Sequence, residues 1–258
     1  AVADEQLAFE AAQITAKEGR ALGIHLNFAP VADVNNNARN PVINTRAFGE
    51  VPAAVGTLNA AYIRGLKAGG MLSTLKHFPG HGDTDVDSHI GLPIISHPRE
   101  RLDAVELPSF RAGIAAGADA IMTAHIQLPA LDPGEFSPST LSRPIVTGLL
   151  RDEMKFNGLI VTDAMTMDAV SRRLTPGEAA VRAVLAGNDL ILQSPDDAAA
   201  IAAVKAAVTS GQIPMMQVDA SVQRILRTKA RLGLHRNKRV SLDDLPALVG
   251  GREHAKIA

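Results

Sequence analysis

The 258-residue sequence contains no cysteine and no tryptophan, and only one tyrosine and seven phenylalanines. The absence of cysteine excludes disulfides, zinc–thiolate centres and a cysteine nucleophile, and it leaves the cellular compartment open. Proteins that grip a long polysaccharide usually do so with large aromatic surfaces, which this composition cannot supply. The shortage of aromatic side chains therefore favours a small pocket that takes one terminal unit.

The sequence also lacks an excess of either charge and any long apolar run. The formal net charge is −1, so there is no basic field to attract nucleic acid or an anionic membrane surface. No stretch of eighteen apolar residues and no signal peptide can be found. We therefore expect no nucleic-acid partner and no membrane insertion.

Helical and strand patterns alternate along the whole chain, which predicts an α/β fold with parallel strands. A (β/α)8 TIM-type barrel and a doubly wound sheet both fit this pattern, but no G-x-G-x-x-G follows a strand, which favours the barrel. Five strands are too few to close it, so we expect its first strand or strands to be absent. The strands are predicted at 24–29, 71–76, 119–124, 158–163 and 189–193, and the helices at 4–21, 52–69, 99–117, 140–156, 176–187, 196–209 and 217–232.

Residues 76–93, KHFPGHGDTDVDSHIGLP, concentrate titratable side chains directly after an apolar strand. Proline and glycine at positions 79, 80 and 82 predict a loop there. Asp87 and His89 are two residues apart, so in an extended segment both side chains face the same way and the carboxylate can hold the imidazole. A histidine held by an aspartate is a tuned proton-transfer group.

Polar residues also follow the other predicted strands, and in a barrel they would converge on one face. Asp163 ends an apolar strand, so its carboxylate would be partly shielded and directed at the barrel axis. Arg46 lies in a loop on the same presumed face. The strand-end residues are Asp33, Lys76, His77, His125 and Asp163.

Each of these residues also has a purely structural interpretation. Asp163 could cap the following helix, and the Asp87–His89 pair could be a simple loop hydrogen bond. Lys76 and Arg46 could be solvated surface residues.

The His/Asp cluster has a second functional interpretation, as a metal site. His77, His81 and His89 lie with three aspartates within thirteen residues, which could bind zinc or another divalent ion. A calcium loop is excluded, because Ser88 and Ile94 stand where that loop needs Gly and Glu.

Several motifs, taken in order, resemble those of the N-terminal barrel of glycoside hydrolase family 3. They are NFAPVADV, RAFGE, KHFPGHG followed by DSH, MTAHI, VTDAM and AGNDLIL. The most similar subgroup is the bacterial β-N-acetylhexosaminidases, which act in peptidoglycan turnover. KHFPGH followed by DSH is the specific element, since most members outside this subgroup lack the Asp-His pair.

This resemblance implies a retaining exo-β-N-acetylglucosaminidase that acts on a terminal β-linked N-acetylglucosamine and needs no cofactor or metal. Asp163 matches the nucleophile, and His89 matches the acid/base residue with Asp87 as its partner. Arg46, Lys76 and His77 match residues that hold the sugar. The alternatives are a β-glucosidase or a glycoside phosphorylase of the same family, a metal-dependent hydrolase built on the His/Asp cluster, and an inactive sugar-binding module.

The expected organisation is a catalytic barrel at 1–235 without its N-terminal βα units, and a linker at 236–258 leading to an absent second domain. The final ALVGGREHAKIA resembles the opening of the second domain of longer family members. The chain is thus expected to be an internal piece of a longer enzyme, or to receive its missing segments from another chain. The compartment is either the bacterial cytoplasm or the cell envelope and exterior, and the sign of a second domain favours export.

Overall fold

The computed structural model describes residues 4–257, and its fold is built on a parallel sheet. Four strands pair in sequence order. After each strand a helical crossover brings the chain back to the end of the sheet at which the next strand begins. Their carboxyl ends therefore lie side by side. The strands are β1 (Thr74–Phe78), β2 (Ala120–Thr123), β3 (Leu159–Ala164) and β4 (Leu190–Leu192).

The predicted strand at 24–29 is present only as an irregular extended segment beside β1. Backbone hydrogen bonds of 2.6–3.2 Å join residues 25–32 to residues 72–76, and the pairing is parallel at two isolated bridges. Pro30 lies within this segment and cannot donate to a ladder, which explains why regular pairing is interrupted. It is the fifth parallel segment of the sheet, in agreement with the five parallel strands that the sequence pattern predicted.

The helices cover the sheet and most begin and end within two residues of the predicted positions. Asp4 caps the first, accepting a hydrogen bond from the Leu7 N–H at 3.0 Å. No helix in the described part of the chain is long and apolar enough to cross a bilayer. The helices are α1 (Glu5–Ala21), α2 (Pro52–Ala68), α3 (Arg99–Ala104), α4 (Leu107–Ala115), a π-helix (Pro144–Glu153), α5 (Asp168–Ser171), α6 (Pro176–Ala186), α7 (Asp197–Thr209), α8 (Met215–Arg231) and α9 (Leu245–Leu248).

Two helix predictions were wrong in extent, and proline explains both. The predicted helix at 99–117 is divided into α3 and α4, because Pro108 lacks an N–H and its ring would clash with the carbonyl four residues earlier. The predicted helix at 140–156 begins instead at Pro144, where a missing N–H costs no intrahelical bond. Residues 139–141 form a separate 3-10 turn.

The core lies between the sheet and helices α2 and α4 with the π-helix. Phe78 of β1 and Phe110 of α4 meet edge to face, with their ring centroids 5.2 Å apart. Both side chains are fully buried, and each contributes about 1.5–3 kcal/mol of hydrophobic stabilisation. This packing fixes β1, whose last residues lead directly into the polar segment 76–93.

The tail, which was predicted to be a linker, returns to α1. Glu18 of α1 accepts hydrogen bonds from the His254 ring at 2.6 Å and from the Gly250 N–H at 3.0 Å. The His254 hydrogen bond, followed by that from Gly250, lowers the pKa of Glu18. Residues 245–257 are thus attached to the first helix, and a further domain beyond them stays a prediction.

Candidate active site

A pocket of about 180 Å3 opens at the carboxyl edge of the sheet. The family resemblance gave six residues a catalytic or sugar-binding role, and five of them line this pocket. The sixth, Asp87, is hydrogen-bonded to one of the five. Strand β1 and its following loop supply three, β3 supplies one, and a 3-10 turn at Asn44–Arg46 supplies the last. The five are Arg46, Lys76, His77, His89 and Asp163.

Asp163 is the penultimate residue of β3 and is partly shielded, as its sequence position predicted. Its Oδ1 accepts a hydrogen bond from the Ala164 N–H at 2.8 Å. The next helix, α5, has Met167 at its N-cap, so the helix-capping interpretation of Asp163 is wrong. The carboxylate is left to face the pocket.

His89 is held by Asp87, which confirms the predicted contact but not the reason given for it. Asp87 Oδ1 accepts from His89 Nδ1 at 2.7 Å and from the His89 backbone N–H at 2.8 Å. The segment is a turn rather than an extended stretch, since the N–H groups of Ile90 and Gly91 both donate to the Asp87 carbonyl at 3.0 Å. Aspartate commonly closes such turns by bonding the backbone two residues on.

This arrangement sets the chemistry of the pair. Burial alone would raise the pKa of Asp87, but the backbone and ring hydrogen bonds from His89 outweigh it and lower the pKa. An ionised carboxylate only accepts hydrogen bonds, so the His89 Nδ1 carries a proton. Nε2 is then the nitrogen that can exchange a proton with a bound molecule.

Two cations, Lys76 and Arg46, line the same pocket as the carboxylate of Asp163. Burial lowers the pKa of Lys76, and the neighbouring charge of Arg46 lowers it further. Asp163 and Asp33 act in the opposite direction. Lys76 is thus half-buried in the pocket, whereas Arg46, which also lines the pocket, is exposed to solvent.

His81 is a buried structural residue that anchors the loop carrying His89. Its Nδ1 lies 2.7 Å from Thr84 Oγ1 and its Nε2 lies 2.9 Å from Ser88 Oγ, next to His89 in sequence. Burial lowers the pKa of His81 to about 4, so its ring is neutral near pH 7. Asn40 adds a second anchor by donating to the carbonyls of His81 and Gly82.

The three histidines of segment 76–93 each have different hydrogen-bond partners. His77 bonds Asp33, His81 bonds two hydroxyl groups, and His89 bonds Asp87. Within residues 4–257, no three His, Asp or Glu side chains are grouped so that they could hold a metal ion.

His125 and Asp33 were expected to converge on the pocket face with the other strand-end residues, but both lie beneath it. His125 is fully buried, with Nε2 3.0 Å from the Ala164 carbonyl and Nδ1 2.9 Å from Thr140 Oγ1. Burial lowers the pKa of His125, with Asp163 opposing the shift. A neutral ring that donates from Nε2 to Ala164 supports the end of β3 from below.

Sequence reasoning missed the remaining walls of the pocket. Phe28, Val42 and Met122 contribute apolar surface, and Gln193 contributes an amide just after β4. Gln193 had a detectable signal, since it follows a strand as the other site residues do. The apolar residues had none, because strand pattern alone does not tell a pocket wall from a core contact.

Gly82 is required by a close approach of two backbone segments, so we expect Gly82→Ala to destabilise the site. A Cβ at this position would lie 1.8 Å from the Val34 carbonyl oxygen, and neither backbone can move freely. Overpacking of this kind costs about 1–3 kcal/mol of unfolding free energy. Gly91→Ala is the matched control, because its Cβ would meet only the Val86 side chain at 3.5 Å. Thermal unfolding and turnover of both variants check this, and equal midpoints would contradict it.

Stability should fall as the pH is lowered from 6.5 towards 4. The pKa of His81 is about 4 when folded against 6.5 when unfolded, so the unfolded chain binds more protons in this interval. The loss amounts to at most about 3 kcal/mol for this residue. The pKa values of Asp33 and Asp87 are also lowered in the folded state, so these residues lose their contribution at the acid end of this interval and below it.

The His81 contribution can be isolated by measuring unfolding midpoints against pH. His81→Gln should flatten the curve between pH 6.5 and 4, with the part due to buried His125 remaining. His235→Gln, at an exposed position in the tail, is the control and should keep the full slope. An unchanged slope in His81→Gln would refute the assignment.

In parallel α/β enzymes the active site lies at the carboxyl ends of the strands, which is where this pocket lies. Residues 1–228 match the family model described as the N terminal domain of glycosyl hydrolase family 3. The chain therefore belongs to glycoside hydrolase family 3, as the motifs predicted.

Two relatives of known name are similar to the chain, a β-hexosaminidase and a β-N-acetylglucosaminidase/β-glucosidase. Over 195 residues it is 46% identical to the "Beta-hexosaminidase A" of Pseudoalteromonas piscicida, covering 72% of this chain and 33% of that protein. Over 256 residues it is 35% identical to the "Beta-N-acetylglucosaminidase/beta-glucosidase" of Cellulomonas fimi, covering 96% of this chain and 45% of that protein.

A solved structure agrees with these relatives. The glycoside hydrolase family 3 β-N-acetylglucosaminidase from Paenibacillus sp. str. FPU-7 superposes with a TM-score of 0.92 at 45% sequence identity. The match covers 98% of this chain and 48% of that one. The chain thus spans between one third and one half of the length of each of these three proteins.

Proposed function

We propose that the pocket is the active site of a retaining exo-β-N-acetylglucosaminidase, which removes terminal N-acetylglucosamine from peptidoglycan-derived or related glycosides. The observation that carries this proposal is that Asp163 and the Asp87-held His89 line the same small pocket. The names of the similar proteins support the acetamido sugar. We further propose that the parallel sheet is part of a (β/α)8 barrel, which would place the pocket at its catalytic face.

In the first step the Asp163 carboxylate attacks the anomeric carbon while the His89 Nε2–H protonates the departing glycosidic oxygen. The bond to the leaving group breaks as the bond to Asp163 forms, which gives a covalent glycosyl-enzyme. In the second step the neutral His89 Nε2 takes a proton from water, which attacks the same carbon and releases Asp163. Two displacements retain the β configuration.

A histidine suits the acid/base role in this pocket for an electrostatic reason. A second carboxylate beside Asp163 would raise the pKa of one of the two, since like charges disfavour joint ionisation. An imidazole changes between cationic and neutral forms near neutral pH, so it can serve both steps. Asp87, fixed at Nδ1, stabilises the cationic form that donates the proton.

Arg46, Lys76 and His77 are the proposed sugar contacts. Guanidinium and ammonium groups only donate hydrogen bonds, so Arg46 and Lys76 would bind hydroxyl or acetamido oxygens of the sugar. The Asp163 carboxylate lines the same pocket and favours the charged form of Lys76.

A second candidate function is hydrolysis of β-glucosides. The name of the Cellulomonas fimi relative includes both activities, and that protein covers nearly the whole of this chain. The two candidates differ only in the group at the second carbon of the sugar, so a direct substrate comparison separates them.

The test compares hydrolysis of an aryl β-N-acetylglucosaminide with that of the matching β-glucoside by the 258-residue chain. We expect kcat/KM to be higher for the acetamido sugar, with free N-acetylglucosamine as product whether or not phosphate is added. Preference for the glucoside would favour the second candidate. A sugar 1-phosphate product would favour a phosphorylase, loss of activity with a chelator would favour a metal-dependent hydrolase, and sugar binding without turnover would favour a binding module.

A further inference from the structure

Asp33 is a fully buried carboxylate under the pocket floor and has no part in the steps above. Three donors converge on it: His77 Nδ1 at 2.7 Å, the His77 backbone N–H at 3.1 Å and the His81 backbone N–H at 2.6 Å. Burial alone would raise the pKa of Asp33, but the contacts with His77 and His81 outweigh it and lower the pKa. The Asp33 carboxylate therefore acts as the acceptor in all three of these hydrogen bonds.

The two nitrogens of His77 face partners of opposite character. Nδ1 faces the Asp33 carboxylate, which only accepts hydrogen bonds. Nε2 lies 3.4 Å from Nη2 of Arg46, a guanidinium that only donates. Both partners are satisfied by one form of the ring, in which Nδ1 carries the proton and Nε2 keeps its lone pair.

We propose that Asp33 is a positioning residue that holds His77 as the Nδ1–H tautomer, so that a hydroxyl hydrogen of the terminal sugar replaces the long 3.4 Å contact of Arg46 as the donor to the Nε2 lone pair. The sugar contact rests on the proposed function, whereas the tautomer does not. The direction of each hydrogen bond to the sugar would then be fixed. Sugar oxygens would accept hydrogen bonds from Arg46 and Lys76, and one sugar hydroxyl would donate a hydrogen bond to His77.

Asparagine at position 33 has nearly the same shape and tests this chemistry. Its side chain offers one acceptor oxygen and an amide that donates, while the three donors around Asp33 all need an acceptor. An amide placed against Nδ1 drives the ring proton to Nε2, where it opposes Arg46 and removes the acceptor for the sugar.

We expect Asp33→Asn to lower kcat/KM by about 10–100-fold, mainly through a higher KM, because a hydroxyl hydrogen bond is made in ground state and transition state alike. The control is Asp119→Asn, which replaces a carboxylate that accepts from the Ser73 N–H and hydroxyl near the start of β1. It should cost stability without raising KM. An equal KM in Asp33→Asn and wild type would overturn the proposal, as would a loss confined to kcat.

The tautomer can be read directly in the wild-type chain from two-bond 1H–15N correlations of the histidine rings. His77→Gln identifies the His77 signals by their disappearance. A protonated Nδ1 with a bare Nε2 at pH 7–8 is the expected pattern, and a protonated Nε2 would overturn the proposal even if Asp33→Asn did not fold. This measurement needs no turnover, so failure of the proposed function would appear separately, as inactivity on every aryl glycoside with the tautomer intact.

Discussion

Replacing Asp163 with asparagine should reduce turnover by about 10⁴-fold or more, because removal of a nucleophile leaves only binding and residual electrostatic effects. The asparagine amide has nearly the same shape as the carboxylate, so its oxygen can still accept the hydrogen bond from the Ala164 N–H. The fold should therefore be retained. Initial rates with an activated aryl β-N-acetylglucosaminide, together with unfolding midpoints, measure both consequences.

Two additions make this test specific. Asp85→Asn removes an exposed carboxylate in the neighbouring loop and should leave turnover within about twofold of wild type, as surface substitutions usually do. Asp163→Ala with added azide should regain turnover and give the α-glycosyl azide, since a small anion then attacks in place of the carboxylate. Substantial activity in Asp163→Asn, or a β-azide from Asp163→Ala, would refute the nucleophile assignment.

Replacing His89 with alanine should produce a loss that depends on the leaving group. General acid catalysis contributes about 10²–10⁴-fold, so a sugar or simple alkyl leaving group should show a loss of that order. A dinitrophenyl leaving group needs little protonation, so its first step should be much less affected. Comparing kcat/KM for the two substrates measures the role of the acid directly.

His97 provides a matched control for His89. It is also an aspartate-held histidine in this region, with Nε2 2.7 Å from Asp83 Oδ2, but it does not line the pocket. His97→Ala should therefore keep the wild-type rate on both substrates. Equal losses on both substrates in His89→Ala would contradict the acid role, and azide should give that variant a β-glycosyl azide if the role is correct.

The alternation of apolar strands and amphipathic helices was sufficient to predict that the strands of the sheet run parallel. The contact between Asp87 and His89 was predictable for a local reason: the two residues are two positions apart in sequence, so any tight backbone conformation can bring them together. The turn that actually joins them depends on hydrogen bonds to the Asp87 carbonyl, which spacing alone does not reveal.

Burial depth was the property that the sequence could not supply. Asp33 and Asp163 both follow apolar segments, yet one is fully buried and the other faces the pocket. The difference arises from distant parts of the chain, since His77 in β1 and His81 in the loop after it enclose Asp33. The helix boundary at Pro108 was visible in the sequence, but the apolar pattern that continues through it concealed the break.

The central claim, that Asp163 forms a covalent bond to the sugar, is tested most directly by trapping the intermediate. A 5-fluoro β-N-acetylglucosaminyl fluoride slows both steps while keeping a good leaving group, so the glycosyl-enzyme accumulates. Proteolysis and mass spectrometry should then find one fluorinated N-acetylglucosaminyl group per chain, attached at Asp163. Attachment at another residue, or continued turnover with no covalent label, would contradict the claim.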